Sequence, residues 1–274
     1  SPINPTGDIM QKKPYILITN DDGIEAPGLF ALYQAICNFA EVVIIAPASE
    51  QSGVGAGISL RNPLQIQSVI WPTNTAAWKV TGTPADCVRL GLHTILERTP
   101  DLILSGINRG SNAGRTVLYS GTVGAVIEGT MKNVPGIAFS SVNYKNPNYE
   151  QFKEFVQPIA SQCLTQPLPK GTLLNVNFPN TEKIQGIKLA HQGMGYWMEN
   201  PEQRLHPEGH EYYWLGGKWS TYEEDEGSDV YLLEKGYVTA VPIHINELTD
   251  KALLLERKQP FEHFVNSKPT LTEL

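Results

Sequence analysis

Through its first half the chain alternates short, continuous apolar runs with segments that are apolar on one helical face. Tyr15-Ile16-Leu17-Ile18 is a run of strand length. Residues 26–38 follow with Leu29, Leu32, Tyr33 and Ile36 at helical spacing, and with Pro27 in the first turn, where a missing N–H does no harm. Glu41-Val42-Val43-Ile44-Ile45-Ala46 predicts a buried strand ended by Pro47, and a Gly-rich loop occupies 49–57. Residues 58–70 and 76–80 predict shorter strands around the Asn62-Pro63 turn. Thr83-Pro84-Ala85-Asp86 supplies a capping hydroxyl, an early proline and an acid in the first turn, and predicts a helix to about residue 97. Asp101-Leu102-Ile103-Leu104 predicts the next strand and 105–119 a loop of small residues. Ser120 is placed to cap a helix running through 132, and Gly136-Ile137-Ala138-Phe139-Ser140 predicts a further strand.

Strand–helix alternation with continuous apolar strands specifies a parallel sheet covered on both faces. The expected fold is therefore α/β, a three-layer Rossmann-like arrangement around a mostly parallel sheet. Beyond Pro179 the pattern changes. Residues 192–227 are rich in aromatics, glycine and charge, include Tyr212-Tyr213-Trp214, and carry acids at 223–226. Residues 237–243 again read as a strand and 250–258 as a terminal helix. Aromatics on an irregular extension more often mark subunit contacts than chemistry. The expected organisation is a Rossmann-like core over 10–180 and a C-terminal extension over 181–274, β-rich and helical, containing an oligomerisation arm.

Composition narrows this picture. At 274 residues and 41% hydrophobic, the chain can bury one large core. Its net charge of −7 argues against a broad nucleic-acid-binding face, which needs clustered Lys and Arg, but leaves small phosphorylated ligands open if a cation reverses the local sign. Cys37, Cys87 and Cys163 are scattered without a C-x-x-C spacing, as expected of thiols in a reducing compartment. Residues 1–13 lack the apolar centre of a signal peptide, and no stretch reaches the roughly 18 apolar residues of a membrane span. The expectation is a soluble cytoplasmic protein.

The candidate chemistry sits at the strand ends, where ligands bind in open α/β sheets. The first strand runs into Thr19-Asn20-Asp21-Asp22-Gly23. Two adjacent carboxylates at the tip of a buried strand are costly to desolvate and repel each other, which makes most sense around a cation. The 49–57 loop follows the second strand, and Ser105-Gly106-Ile107-Asn108-Arg109-Gly110-Ser111-Asn112 follows a later one. Ser120-Gly121-Thr122 opens a helix whose N–H groups and positive dipole end face the same crevice. Carboxylate, amide and hydroxyl oxygens suit Mg²⁺ or Mn²⁺, and no cluster rich in His or Cys argues for zinc there. A metal beside a phosphate cradle points to phosphoryl transfer.

Each piece also has a plainer reading. Asp22-Gly23 alone is an ordinary turn, Ser120 and Thr122 alone are ordinary helix caps, and Asn108 and Asn112 lie among turn-forming glycines. The glycines at 53, 55 and 57 do not complete G-x-G-x-x-G, and G-x-x-x-x-G-K-[ST], G-x-S-x-G and H-E-x-x-H are absent. Placement at successive strand ends raises the joint reading above these. Two other readings share the features: a receiver-like signalling module that binds Mg²⁺ through an acidic pair, and a nucleotide-binding protein without catalysis. A receiver needs an acceptor Asp ending a later strand, whereas Asp101 opens its strand. Of the histidines, His206 and His210 flank Pro207-Glu208-Gly209 on the extension, a placement suited to gating or to an interface.

Taken together, Ile16-Leu17-Ile18-Thr19-Asn20-Asp21-Asp22-Gly23, Ala46-Pro47 through Ser52-Gly53, Gly82-Thr83-Pro84-Ala85-Asp86-Cys87-Val88, Ser105-Gly106-Ile107-Asn108-Arg109-Gly110 and Tyr119-Ser120-Gly121-Thr122-Val123-Gly124-Ala125 resemble the SurE family of stationary-phase survival proteins. Weaker matches follow at Leu174-Asn175-Val176-Asn177-Phe178-Pro179, Tyr212-Tyr213-Trp214 and Gly236-Tyr237-Val238. The resemblance implies a metal-dependent 5′-nucleotidase that hydrolyses nucleoside monophosphates at the 5′ and often the 3′ position, some members also cutting short polyphosphates. It implies that Asp21, Asp22, Ser52 and Asn108 bind one divalent metal per subunit, Mg²⁺ or Mn²⁺, and that Asn112, Ser120, Gly121 and Thr122 line the phosphate site. It implies a homodimer or homotetramer that exchanges its C-terminal arms. The chain departs from the family pattern at Arg115-Thr116, where an acid is common, and at His206-Pro207-Glu208-Gly209, where an Asp often precedes the proline.

Overall fold

The computed structural model describes residues 12–198 and 200–270. Its first unit is β1 (Tyr15–Thr19), α1 (Pro27–Ile36) and β2 (Glu41–Pro47). Next come β3 (Ile66–Ser68), β4 (Ala76–Val80) and α2 (Pro84–Leu90), and then β5 (Leu102–Arg109), α3 (Gly121–Met131) and β6 (Gly136–Ser141). α4 (Tyr149–Thr165) and β7 (Thr172–Phe178) complete the pattern of alternation. The C-terminal part adds β8 (Ile187–Leu189), β9 (Tyr196–Met198), β10 (Glu202–Leu205), β11 (Glu211–Trp214), β12 (Lys218–Ser220), α5 (Asp229–Glu234), β13 (Val238–His244) and α6 (Lys251–Asn266).

A nine-stranded sheet in the order β3-β4-β2-β1-β5-β6-β7-β13-β8 organises the chain. From β4 to β7 every neighbouring pair is parallel, while β3 and β13 run antiparallel to β4 and β7. Strand periodicity divides the core between two faces. Ile16 and Ile18 join Leu29, Leu32, Phe152 and Phe178 under α1 and α4, whereas Leu17 joins Val43, Ile45, Val88 and Ala125 under α2 and α3. This is the expected three-layer α/β arrangement. The sheet also runs across the 180/181 division drawn from composition, because β8 and β13 complete it. Outside it stand two small two-stranded sheets, β10-β11 and β12-β9, and α6, which has no buried residue.

Several boundaries differ from the sequence expectation. Of residues 58–70 only Ile66–Ser68 is a strand. α2 ends at Leu90 and gives way to a π-helical turn over Gly91–Ile95 instead of running on to 97. Its start is as expected: the Thr83 hydroxyl accepts the Asp86 N–H, and Asp86 accepts the Thr83 N–H. Burial works against the Asp86 carboxylate, yet hydrogen bonds from Ser59 and Thr83 hold it below the usual range. β5 continues past the expected loop boundary as far as Arg109. It does so through a bulge, with Ser105 opposite Ala138 but Asn108 opposite Ser140, and residues 114–119 then form a 3₁₀ turn. Gly106 is required in that bulge: at φ +136° a Cβ would lie 2.3 Å from the Phe139 carbonyl oxygen. α4, predicted by no sequence pattern above, packs Phe152, Val156, Ala160 and Cys163 inward, with Pro158 exposed on its outer side. α6 extends well beyond 258 to Asn266, passing through Pro260.

Candidate active site

The carboxyl ends of β1 and β5, the 49–57 loop and the start of α3 enclose a cavity of about 790 Å³. Asp21, Ser52, Asn108, Asn112 and Ser120 all line it, so five of the eight residues singled out from sequence meet in one space. Asp22 points to an adjoining smaller cleft with Glu25, Glu50 and Arg109. Gly121 and Thr122 lie behind Asp21.

Asp21 is 4% exposed. One of its carboxylate oxygens accepts the Thr122 hydroxyl at 2.8 Å, and its main-chain carbonyl accepts the Gln51 N–H, also at 2.8 Å. Burial, and then the charge of Asp22, push its carboxyl up to about 7, against the downward pull of the Thr122 hydroxyl. Asp22 is raised as well, chiefly by burial and further by Glu50, although it accepts the Arg109 N–H at 3.0 Å. Two adjacent carboxylates, each held unfavourably as an anion, present the electrostatic demand that a divalent cation relieves. The remaining donors fit a hard ion. The Asn108 side-chain N–H donates to the Gly110 carbonyl at 2.9 Å, which leaves Oδ1 as its ligand atom. The Ser52 hydroxyl donates to Glu50 at 2.6 Å, so as a ligand it would bind through its oxygen lone pair. Glu50 is a nearby carboxylate that the sequence reading did not single out.

α3 begins where the phosphate cradle was expected. The Ser120 hydroxyl accepts the Val123 N–H at 3.0 Å and keeps its own proton for the cavity, while the first-turn N–H groups have no acceptor within the helix. Gly121 allows this turn to sit against the acidic loop, since a Cβ there would meet Asp21 Cβ at 3.2 Å and Val54 Cγ2 at 3.1 Å. Thr122 has its side chain fully buried, and its hydroxyl is committed to Asp21. Its side chain orients the carboxylate instead of lining the cavity, so any contact with an anion falls to its main-chain N–H.

Asn112 is held from β7, by residues the site reading missed. Its N–H donates to Asn177 Oδ1 at 2.9 Å, its carbonyl accepts the Asn175 side chain at 3.0 Å, and its own side chain donates to Ser140 at 2.7 Å. Two asparagines at i and i+2 in an otherwise apolar strand were the available signal, because they share one face of the pleat. Beyond the polar end, Val142, Tyr144, Trp197, Trp219, Val230 and Leu233 form an apolar wall. At the family departure, Arg115 donates to the Met194 carbonyl at 2.6 Å and lies over the rings of Tyr196 and Tyr222, whereas Thr116 faces the cavity. Asp101 sits at the opposite end of β5 from this site and accepts the Tyr15 N–H at 2.8 Å.

The family model described as "Survival protein SurE" matches residues 16–199, which include all eight site residues singled out from sequence. The chain belongs to the SurE family. A relative from Protochlamydia amoebophila (strain UWE25), "5'-nucleotidase SurE", is 51% identical over 261 residues, covering 94% of this chain and 100% of that protein. Another of the same name, from Christiangramia forsetii, is 40% identical over 241 residues, 86% of this chain and 93% of the relative. Among solved structures, the SurE protein of Aquifex aeolicus superposes with a TM-score of 0.77 at 37% identity, covering 90% of this chain and all of that one. The SurE match spans β1 to β9 and so contains Asp21, Ser52, Asn108, Asn112 and Ser120, while Trp219, Val230 and Leu233 of the apolar wall lie beyond it.

Proposed function

We propose that this SurE-family chain is a metal-dependent 5′-nucleotidase, a phosphomonoesterase that cleaves nucleoside monophosphates to nucleoside and phosphate. The observation that carries the reading is the pairing, in one cavity, of an oxygen-only acidic site at Asp21 with the N-terminus of α3 at Ser120. The relatives named 5'-nucleotidase SurE supply the substrate class. Asp21, Asp22, Asn108 and Ser52 would hold one divalent ion per subunit, Mg²⁺ or Mn²⁺. When bound, that ion would polarise the phosphoryl group and acidify a water molecule.

The chain's own groups supply positioning. Thr122 fixes the Asp21 carboxylate by a charge-assisted hydrogen bond. The second N–H of the Asn112 amide, the Ser120 hydroxyl and the first N–H groups of α3 would bind the non-bridging phosphate oxygens as charge develops on them. Either Asp21 or Asp22 would take the proton of the attacking water. The apolar wall with Trp197, Trp219 and Tyr144 suits the nucleoside. Hydrolysis of 3′-nucleotides and of short polyphosphates belongs to the same proposal, because the polar end of the cavity addresses only the phosphoryl group.

The reading further places the chain in the cytoplasm, where its three free thiols stay reduced. It also makes the chain a homodimer or homotetramer. Support for assembly comes from exposed apolar side chains on α6 (Leu255, Phe261, Phe264) and on β11 (Tyr213, Trp214). No helix among the described residues is long and apolar enough to cross a membrane. The test is phosphate release from a panel of 5′- and 3′-mononucleotides with Mg²⁺ or Mn²⁺, with and without EDTA. Metal-dependent multiple turnover is expected, and binding without phosphate release would overturn the reading.

A further inference from the structure

The tip of the β10-β11 hairpin carries a second set of metal-ligating side chains, none of which lines the active-site cavity. His206, Glu208 and His210 each offer one ligand atom, and the three atoms lie within 4.8 Å of one another. Among the described residues no other trio of His, Cys, Asp or Glu side chains comes together in this way.

Hairpin geometry produces the cluster. The His206 N–H donates to the His210 carbonyl at 2.8 Å, and the Gly209 N–H donates to the His206 carbonyl, also at 2.8 Å. Gly209, at φ +93°, supplies the left-handed residue that this closure requires. The two histidines therefore stand side by side across the last rung, their rings stacked with centroids 4.2 Å apart and planes 13° from parallel. Glu208 lies in the turn between them, its carboxylate 4.0 Å from His206 Nδ1. That nitrogen accepts the Glu208 N–H at 3.2 Å, so its single lone pair points at the turn, and a metal bound there would take the place of this hydrogen bond. The backbone is already set. A tetrahedral site, with ligand separations of roughly 3.4 Å and bonds of about 2.1 Å, requires the two rings to turn out of their stack so that their lone pairs converge, and these are the side chains of one half-buried and one exposed residue.

We propose that His206, Glu208 and His210 form a binding site for Zn²⁺ or a similar late first-row divalent ion, with water completing its shell. Two imidazoles and a carboxylate prefer such ions, whereas the oxygen-only set around Asp21 prefers Mg²⁺ or Mn²⁺, so the two sites select different metals. A bound ion would tie both strands of the hairpin to its turn.

The test is calorimetric titration of the full chain with Zn²⁺ in saturating Mg²⁺, repeated on an Asp21→Asn, Asp22→Asn background to remove capture at the acidic pair. One equivalent of Zn²⁺ per chain is expected on both backgrounds. His206→Gln and His210→Gln, conservative changes at an accessible turn, should each weaken it by at least about tenfold. Co²⁺ should give visible absorption that these variants lose. Zn²⁺ binding as tight in both glutamine variants as in the unaltered chain would overturn the proposal, as would absence of any equivalent once the acidic pair is removed.

Discussion

The Thr122 hydroxyl, at the start of α3, donates to the Asp21 carboxylate, at the end of β1, at 2.8 Å. This bond joins the two halves of the site, because the helix that faces the phosphate also orients the acid that faces the metal. Thr122→Val keeps shape and removes the donor. It is expected to lower activity at limiting Mn²⁺ by roughly 10–100-fold through weakened metal binding, with recovery as Mn²⁺ is raised. A metal titration of activity measures this. An unchanged half-saturating Mn²⁺ concentration would show that the bond does not position Asp21.

Asp21 also makes metal-free stability depend on pH. Its carboxyl lies near 3.8 in an unfolded chain and is pushed up to about 7 in the fold, so the folded state binds the proton more tightly. Its contribution to stability is fully present below about pH 4, declines as pH rises through the window between the two values, and is lost above about 7. The difference is on the order of 4 kcal/mol at most, from about 1.4 kcal/mol for each pH unit. Denaturant midpoints in EDTA should therefore fall between pH 5 and pH 8. Asp21→Asn should reduce that slope and be the more stable chain at pH 8. A slope unchanged by the substitution would contradict the assignment.

Asn177, on β7, holds the Asn112 N–H beyond the end of β5. Asn177→Ala leaves that buried donor without a partner, which is expected to destabilise the fold by about 1–3 kcal/mol. Turnover should drop as Asn112 loosens, since a small displacement of a positioning group is amplified at the reacting centre. Chemical denaturation paired with steady-state kinetics separates the two effects. Full turnover in a destabilised chain would leave Asn177 with a folding role only.

Gly121 is set by contact with the acidic loop. A Cβ at this position would press on Asp21 Cβ at 3.2 Å and on Val54 Cγ2 at 3.1 Å, so Gly121→Ala requires Asp21 and Val54, or α3 itself, to give by a few tenths of an ångström. Activity is expected to fall by more than tenfold, a loss of about 1.4 kcal/mol or more in transition-state stabilisation, with the circular dichroism spectrum retained. Activity equal to the unaltered chain would mean that the loop absorbs the methyl group without displacing Asp21.

The parts of this molecule legible in sequence were those written locally. The apolar run Tyr15-Ile16-Leu17-Ile18 ending in two acids, and the Ser120 cap, each carry their signal within a few residues. The extension of β5 to Arg109 was not legible, because pairing with Ser140 and Ser141 across a bulge sustains it, and that partner lies about thirty residues away. α4 was obscured by Pro158, which the exposed side of a helix packed through Phe152 and Val156 tolerates. Side-chain direction was out of reach as well: sequence placed Thr122 at the helix start, but only the approach of β1 turned its hydroxyl to Asp21. The aromatic, irregular composition after 180 concealed β8; residues 237–243 did read as a strand, but the place of β13 in the sheet depends on pairing with β7, and that of β8 on pairing with β13.

The central claim is that the acidic pair binds the metal on which hydrolysis depends. The most direct measurement is phosphate release from AMP by Asp21→Asn at saturating Mn²⁺, alongside a denaturation curve showing that the variant is folded. The account predicts a folded chain with turnover reduced by several orders of magnitude and no rescue by added metal. A folded Asp21→Asn chain that turns over near the unaltered rate would contradict it.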